Sequence, residues 1–207
     1  LRRAREQGEL DPFLFAIVQQ FNGVQQSPAG GLDAATSARL NERAGQLASA
    51  HGASGDALQY FLRAVRASAM PEAAFADTQA FALYRRAAEA ACVAARFEIA
   101  DELLDRASAL GPDALEQARI GELRVLVLLA RNRLTDALAV GQATLAALGV
   151  PLMALGDPST WPTVPRAHAL NFSQPSPRAD CAQRLLVGLT PCAYITSFEL
   201  YTRVIRT

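Results

Sequence analysis

The residues of this 207-residue chain whose types could do chemistry are few and lie far apart. The cysteines Cys92, Cys181 and Cys192 form no C-x-x-C pair and have no histidine near them, so we interpret them as reduced, mostly buried thiols. The two histidines, His51 and His168, fall in different halves of the chain. We expect structural or incidental roles for both, with His51 facing the negative end of its helix.

The basic residues narrow the possible chemistry further. All 20 of them are arginines, because the sequence contains no lysine. A Walker-type phosphate loop, a Schiff-base lysine and a lysine general base are therefore impossible within this chain. The sequence also has no G-x-S-x-G nucleophile elbow. We therefore expect no catalytic residues, no metal, no cofactor and no enzymatic activity of its own.

Four arginines are the only candidates for contact with a partner. Two pairs could line a concave surface that receives an acidic peptide or a phosphate: Arg63, Arg66, Arg85 and Arg86. A second charged set is acidic and lies at three-and-four spacing opposite an apolar stripe, as on a solvated helix: Glu98, Asp101, Glu102 and Asp105. We expect this second set to face water and to form no paired-carboxylate site.

The overall charge excludes two classes of partner. The 20 basic residues balance 20 acidic ones, whereas proteins that bind nucleic acid or anionic membranes normally carry a clear basic excess. The wholly apolar runs are only a few residues long, and the N-terminal stretch from Leu1 to Arg5 leads into charged residues. We therefore expect a cytoplasmic protein that binds neither nucleic acid nor membrane.

Helical periodicity and capping signals indicate the elements that carry these residues. Asp11-Pro12 begins a first helix that fades at Asn22-Gly23, and Asp113 with Glu116 forms a capping box. Proline and glycine mark the helix ends. After the first helix, the pattern predicts helices from Asp33 to Gly52, from Asp56 to before Pro71, from Pro71 to Ala95, from Phe97 to Leu110, from Ala114 to Ala130 and from Leu134 to Leu148.

These helices match one another as pairs. Ala57, Ala100 and Ala137 recur in successive second helices at intervals of roughly 40 residues. The spacing of small, aromatic and large residues in one pair fits the tetratricopeptide register through Ala88, Phe97, Ala100, Leu104, Ala107 and Pro112. The predicted fold class is all-α, with antiparallel helix pairs stacked as a tetratricopeptide-like right-handed superhelical array. The alternative is an unrelated alanine-rich bundle whose self-match is accidental.

The domain organisation follows from where this pattern stops. We predict a helical-repeat array over 1–150, a proline-rich connector packed on the array over 151–180, and the start of further helical repeats over 181–207. Both ends of the chain look cut, since it begins at Leu1 and stops within an amphipathic pattern. We expect self-association through these truncated ends.

Several short runs resemble a known family. They are Phe15-Ala16-Ile17-Val18-Gln19-Gln20-Phe21-Asn22, Leu40-Asn41 with Ala44-Gly45, Leu83-Tyr84 with Ala88-Glu89-Ala90, Phe97-Glu98 with Ala100-Asp101-Glu102-Leu103-Leu104, Ala118-Arg119 with Glu122-Leu123, Ala137-Leu138 through Leu148-Gly149-Val150, and Thr190-Pro191-Cys192-Ala193-Tyr194. Together these runs resemble the helical region that follows the AAA-type ATPase module in large bacterial signalling proteins. One departure is Cys92-Val93-Ala94-Ala95, where that family usually has a tyrosine-leucine-x-glycine turn.

The resemblance implies a role in signalling. Members of that family often carry a serine/threonine kinase-like domain, the ATPase, this array, a GAF domain and a histidine kinase in one polypeptide. The expected function is a non-catalytic scaffold that couples such modules or binds a protein partner, a peptide or an effector. The alternatives are a stand-alone helical-repeat adaptor and an enzyme whose site the sequence does not reveal.

Overall fold

A computed structural model gives the fold and describes residues 13–23, 33–111, 113–150, 176–196 and 205. The regular structure within these residues is entirely helical, which confirms the predicted all-α class. The predicted connector lies almost wholly outside the described residues, as do most residues after 196. The α-helices are α1 (13–23), α2 (Ala34–Ala50), α3 (Ser54–Ser68), α4 (Asp77–Val93), α5 (Phe97–Leu110), α6 (Ala114–Ala130), α7 (Leu134–Ala147) and α8 (Pro177–Thr196).

The chain divides into two compact units, Leu1–Leu110 and Gly111–Thr207. In the first unit, α2 packs on α3, α3 on α4 and α4 on α5. In the second unit, α6 packs on α7, and α8 packs on both of them. Consecutive helices therefore pack as neighbours within each unit, as the pairing of the sequence predicts.

The turns inside the three helix pairs share one backbone geometry. A single residue with positive φ follows the first helix of each pair: Gly52 at 75°, Ala95 at 54° and Asn132 at 58°. The next amide then donates back to the carbonyl five residues earlier, over 2.8 to 2.9 Å in all three pairs. This is the helix-terminating arrangement in which a left-handed residue lets the main chain satisfy its own last carbonyls. Each turn residue also precedes its repeat alanine by the same number of positions.

The turn at Ala95 has the backbone geometry of the turn at Gly52, although its residue carries a Cβ. Ala95 adopts the left-handed conformation that Gly52 adopts in the preceding pair. A Cβ in this conformation crowds the following carbonyl and costs about 1 to 2 kcal/mol. The turn therefore forms despite local strain, because packing of α4 on α5 determines it.

This strain predicts that Ala95→Gly stabilises the chain. Removing the Cβ relieves the left-handed conformation, while glycine makes the unfolded chain more flexible, so we expect a net gain of about 0.5 to 1 kcal/mol. Chemical denaturation measures the free energy of unfolding. The matched control is Ala94→Gly, since Ala94 has a φ of −80° and should only lose stability. Equal effects of the two substitutions would contradict the assignment of strain to Ala95.

The predicted single helix from Pro71 to Ala95 is wrong. Pro71–Ala73 form one turn of 3-10 helix, and Ala74 then adopts a φ of 47°, so α4 begins only at Asp77. Two contacts explain the break, since Ala73 is buried where this turn packs on α2, and Gln79 Oε1 accepts the Ala76 N–H at 3.3 Å. Tertiary contact thus overrides the high helix propensity of this alanine-rich stretch.

The predicted repeat alanines lie in the core. Ala57, Ala100 and Ala137 are all fully buried, which confirms the burial that the repeat register predicts. Small residues let the helices of a pair approach closely. In the first pair, a Cβ added at Gly45 would lie 2.9 Å from the Phe61 ring, so glycine makes room for the aromatic side chain.

The second unit buries α6 on two flanks, as its apolar pattern predicts. It packs against α7 and α8, and its buried residues lie on more than one side. A Cβ at Gly121 would lie 2.2 Å from Thr144 Oγ1 of α7. On α7, the space beside Gly141 is filled by Leu189 of α8, whose Cδ1 would lie 2.5 Å from an added Cβ. Glycines on α6 and α7 thus make room for side chains of the neighbouring helices.

Helix α8 runs through Pro191, from Pro177 to Thr196. Proline removes one helical hydrogen bond, to the carbonyl of Val187. Pro191 and Val187 are both exposed, so water can replace that bond. Leu185 before the proline and Cys192 after it are buried in the same apolar cluster, which keeps the helix continuous.

Candidate functional site

One concave feature of the first unit is a groove between α2 and α4. It contains two cavities, of about 400 and about 250 Å³, and Arg86 lines both of them. We call this feature the α2–α4 groove. Its walls come from α2 and α4, and Phe61 of α3 contributes to the larger cavity. Because α3 packs on both α2 and α4, it fixes the spacing of the two walls.

Helical spacing places the wall residues of α2 on one face. Arg39, Glu42, Gln46 and Ser49 line the cavities and follow one another at intervals of three or four residues. Residues at this spacing share one side of a helix. They span ten residues of helix, or about 15 Å along the groove at 1.5 Å per residue. The opposite side of α2 carries the buried Ala44 and Ala48, which pack into the core.

The larger cavity has an apolar interior. It is lined by the Phe61 ring, by Ala90 and by Val93, whose side chain is 75% exposed. Ala90 itself is buried, at 6% exposure. An exposed valine beside an aromatic ring offers apolar area to a ligand, since such area is normally covered in a soluble protein.

Charged side chains surround this apolar interior. Arg86 donates to Glu42 Oε1 across the groove, and Gln46 Nε2 donates to the same oxygen at 3.4 Å. On α4, Arg85 pairs with Glu89 one turn later. Both acidic groups of the groove are therefore paired. Arg39 is exposed and has no ion-pair partner within the described residues, so its charge is available to a ligand.

The four arginines predicted as partner contacts are distributed over different surfaces. Arg86 lines the α2–α4 groove, and Arg85 lies beside it, paired with Glu89. Arg63 instead lines a cavity of about 440 Å³ between α1 and α3, and Arg66 is exposed further along α3. The sequence prediction therefore identifies one groove residue directly. It misses Arg39 and Glu42, although their spacing opposite the buried face of α2 could have indicated them.

The cysteines have environments that disfavour thiolate formation. Burial, with Asp101 and Glu89 nearby, raises the pKa of Cys92 to about 11. Burial and the Glu122 carboxylate raise the pKa of Cys181 to about 11, although Arg184 opposes this shift. The thiolate is the nucleophilic form of cysteine, so both thiols are poor nucleophiles at neutral pH. Cys181 and Cys192 are buried as expected, while Cys92 is half-buried.

Two further findings concern the described residues alone. No group of three histidine, cysteine, aspartate or glutamate side chains among them is arranged to hold a metal ion. No helix in this part of the chain combines the length and the apolar character that crossing a bilayer requires.

Comparison with known proteins adds no assignment. No family model, curated protein or solved structure matches the chain. The α2–α4 groove and the repeated helix pairs are the features of the described residues that bear on function.

Proposed function

We propose that this chain is a non-catalytic helical-repeat scaffold that binds a protein or peptide partner in the α2–α4 groove. The observation that carries the proposal is the groove itself, with an apolar interior at Phe61 and Val93 and charged walls at Arg39 and Arg86. Ligand sites in proteins usually combine apolar lining with a few placed polar groups.

We further propose that the helix pairs are units of a tetratricopeptide-like right-handed superhelical array. The shared turn geometry at Gly52, Ala95 and Asn132 supports this repeat, as does the burial of the alanine at one fixed distance after each turn. The same main-chain hydrogen bond also ends α7, where the Val150 N–H donates to the Leu145 carbonyl after Gly149, so the support for the repeat comes from the fixed interval between each turn residue and its buried alanine. Repeat proteins of this kind bind partners along extended concave surfaces.

The biological setting that we propose rests on the family resemblance. In that setting the chain is a cytoplasmic scaffold within a bacterial signal-transduction ATPase or sensor kinase, and it couples neighbouring modules or binds a partner. Sequencing the gene on either side tests the setting, because a phosphate loop upstream in the same reading frame would support it. A start codon and a stop codon adjoining these residues would instead favour a stand-alone adaptor.

The groove defines the chemistry of the peptide it would take. A large apolar side chain would cover Val93 and contact the Phe61 ring in the larger cavity. An acidic residue further along the peptide would pair with Arg39, which has no ion-pair partner among the described residues. Arg86 is already paired with Glu42, so it contributes less net charge to binding.

Selection from a display library of short random peptides against the full 207-residue chain tests this proposal. We expect enriched peptides to combine an apolar residue with an acidic one. Val93→Arg should weaken their binding by at least about tenfold, because it places a charge where the apolar side chain must be buried. Arg39→Ala should weaken binding of the acidic peptides selectively and reduce its dependence on salt.

The matched control is Val187→Arg, which changes an equally exposed valine on α8 of the second unit. This variant should bind the enriched peptides as the wild type does. Failure to enrich any peptide would contradict the proposal, and so would enriched peptides that bind Val93→Arg with unchanged affinity. Thermal melting of each variant confirms that the fold is retained.

A further inference from the structure

The helix α1 carries apolar residues on two faces. Its inner face holds Leu14 and Val18, which are 5% and 1% exposed. Its outer face holds Phe13, which is 65% exposed, and Phe21, which is 38% exposed, with the half-buried Ile17 midway between them. These three residues follow one another at intervals of four, so they form one stripe along the helix. We call Phe13, Ile17 and Phe21 the α1 stripe.

The inner face and the helix end suffice to hold α1 in place. Phe15 contacts Tyr60 of α3, with ring centroids 5.7 Å apart. Asn22 and Asn41 of α2 exchange two side-chain hydrogen bonds of 3.0 and 3.1 Å. None of these contacts uses Phe13 or Phe21. The exposure of two phenylalanines is thus not a by-product of docking α1 on its own unit, since the docking face is already filled.

The charge pattern of α1 restricts what can cover the stripe. Residues 13–23 contain no charged side chain. An acidic or basic partner would find no complementary group there, whereas a second identical stripe would bring no like charges into opposition. The spacing is also self-complementary, because Ile17 lies midway between two phenylalanines. Reversing one copy about Ile17 places the Phe13 of each copy opposite the Phe21 of the other.

We propose that the α1 stripe is the contact between two copies of this chain, which pair their α1 helices antiparallel about a two-fold axis at Ile17. Such an interface is isologous, and its surface is complementary to itself. Beside the stripe, Ala16 and Gln20 are exposed at the same spacing and form a shallow row. The α1 stripe of the other copy forms a ridge that packs into this row, as side-chain ridges of one helix pack into the grooves of another.

The contact is small, so the dimer is weak. Three apolar side chains from each copy cover less surface than a stable interface buries, so we expect the dimer to form only at high protein concentration. The interface does not use the α2–α4 groove, whose lining comes from α2, α3 and α4 and the segment just before α4. Dimerisation and peptide binding are therefore separate properties, and the failure of one leaves the other standing.

Sedimentation velocity of the full chain over a range of concentrations tests the dimer. We expect a reversible monomer–dimer equilibrium that Phe13→Asp weakens by at least about tenfold, because aspartate would be buried opposite phenylalanine. Aspartate is favourable at the start of a helix, so this variant should keep α1 folded. Ile195→Asp is the control, as it changes a side chain that is 67% exposed on α8 and should leave the equilibrium unchanged.

Cross-linking tests the two-fold geometry independently. In a Cys92→Ala background, which removes the half-buried native thiol, Ile17→Cys should form a covalent dimer on mild oxidation because the two introduced thiols meet at the axis. Ile195→Cys in the same background should not. A chain that stays monomeric throughout the concentration range overturns the proposal and leaves the stripe to another protein. Self-association abolished by Ile195→Asp but not by Phe13→Asp overturns it in favour of α8.

Discussion

Leu185→Ala is expected to lower the free energy of unfolding by about 2 to 5 kcal/mol. Leu185 of α8 is 1% exposed and belongs to the apolar cluster that joins α8 to α6 and α7. Truncation removes its transfer free energy and leaves a cavity that the helices cannot fully close. Urea denaturation followed by circular dichroism measures the change.

Leu126→Ala is the matched control for this substitution. Leu126 lies in the same unit, on α6, but is 48% exposed, so the same chemical change removes little buried surface. We expect a loss well under about 1 kcal/mol for this variant. Equal losses for the two variants would contradict the packing of α8 on α6 and α7, and with it the continuous helix through Pro191.

Ala100→Leu should cost about 1 to 3 kcal/mol by overpacking. Ala100 is fully buried on α5 and occupies the repeat position at which two helices approach closely. A leucine there has no space unless α4 and α5 move apart. Thermal melting monitored by circular dichroism gives the change in stability.

Ala109→Leu makes the same substitution on the exposed side of α5 and should change stability by no more than about 0.5 kcal/mol. Because Ala90 is buried, it would be an unsuitable control for this comparison. If Ala100→Leu and Ala109→Leu melt at the same temperature, the repeat register through Ala100 is wrong.

Local signals made much of the fold predictable from the sequence. The limits of α5 and α6 agree with the prediction, since Asp113 caps α6 by accepting the Glu116 N–H at 2.9 Å. The turn at Asn132 was also correctly placed, because asparagine tolerates the left-handed conformation. In these cases residues close in sequence determine the backbone conformation, so the pattern of capping and turn residues predicts it.

The errors arose where distant contacts decide the structure. The alanine-rich stretch after Pro71 contains no local signal for the interruption of the predicted helix before α4. This interruption depends on the burial of Ala73. Helix α8 likewise continues through Pro191, a residue that disfavours a helix interior, because residues before and after it are buried in one apolar cluster. In both places packing against other helices outweighs the local preference.

The candidate groove could be predicted only in part for the same reason. Arg86 was singled out as a basic residue on a helix, yet its role depends on Glu42, which is far away in sequence. The apolar interior combines Phe61 with Val93, and the separation of α2 from α4 depends on α3. Periodicity assigns residues to faces of single helices, but it does not tell which two faces border a common cavity.

The three matching turns also suggest where this chain can change length. The interval from Gly52 to Ala95 exceeds that from Ala95 to Asn132, and most of the excess lies in the linker that contains the 3-10 turn at Pro71–Ala73. Insertions and deletions would therefore accumulate between pairs, where a linker can lengthen without shifting any helix against its partner. Within a pair, a single added residue would displace the residue in the left-handed conformation and disrupt the hydrogen bonds of the turn. New segments should therefore be inserted into the linkers between pairs.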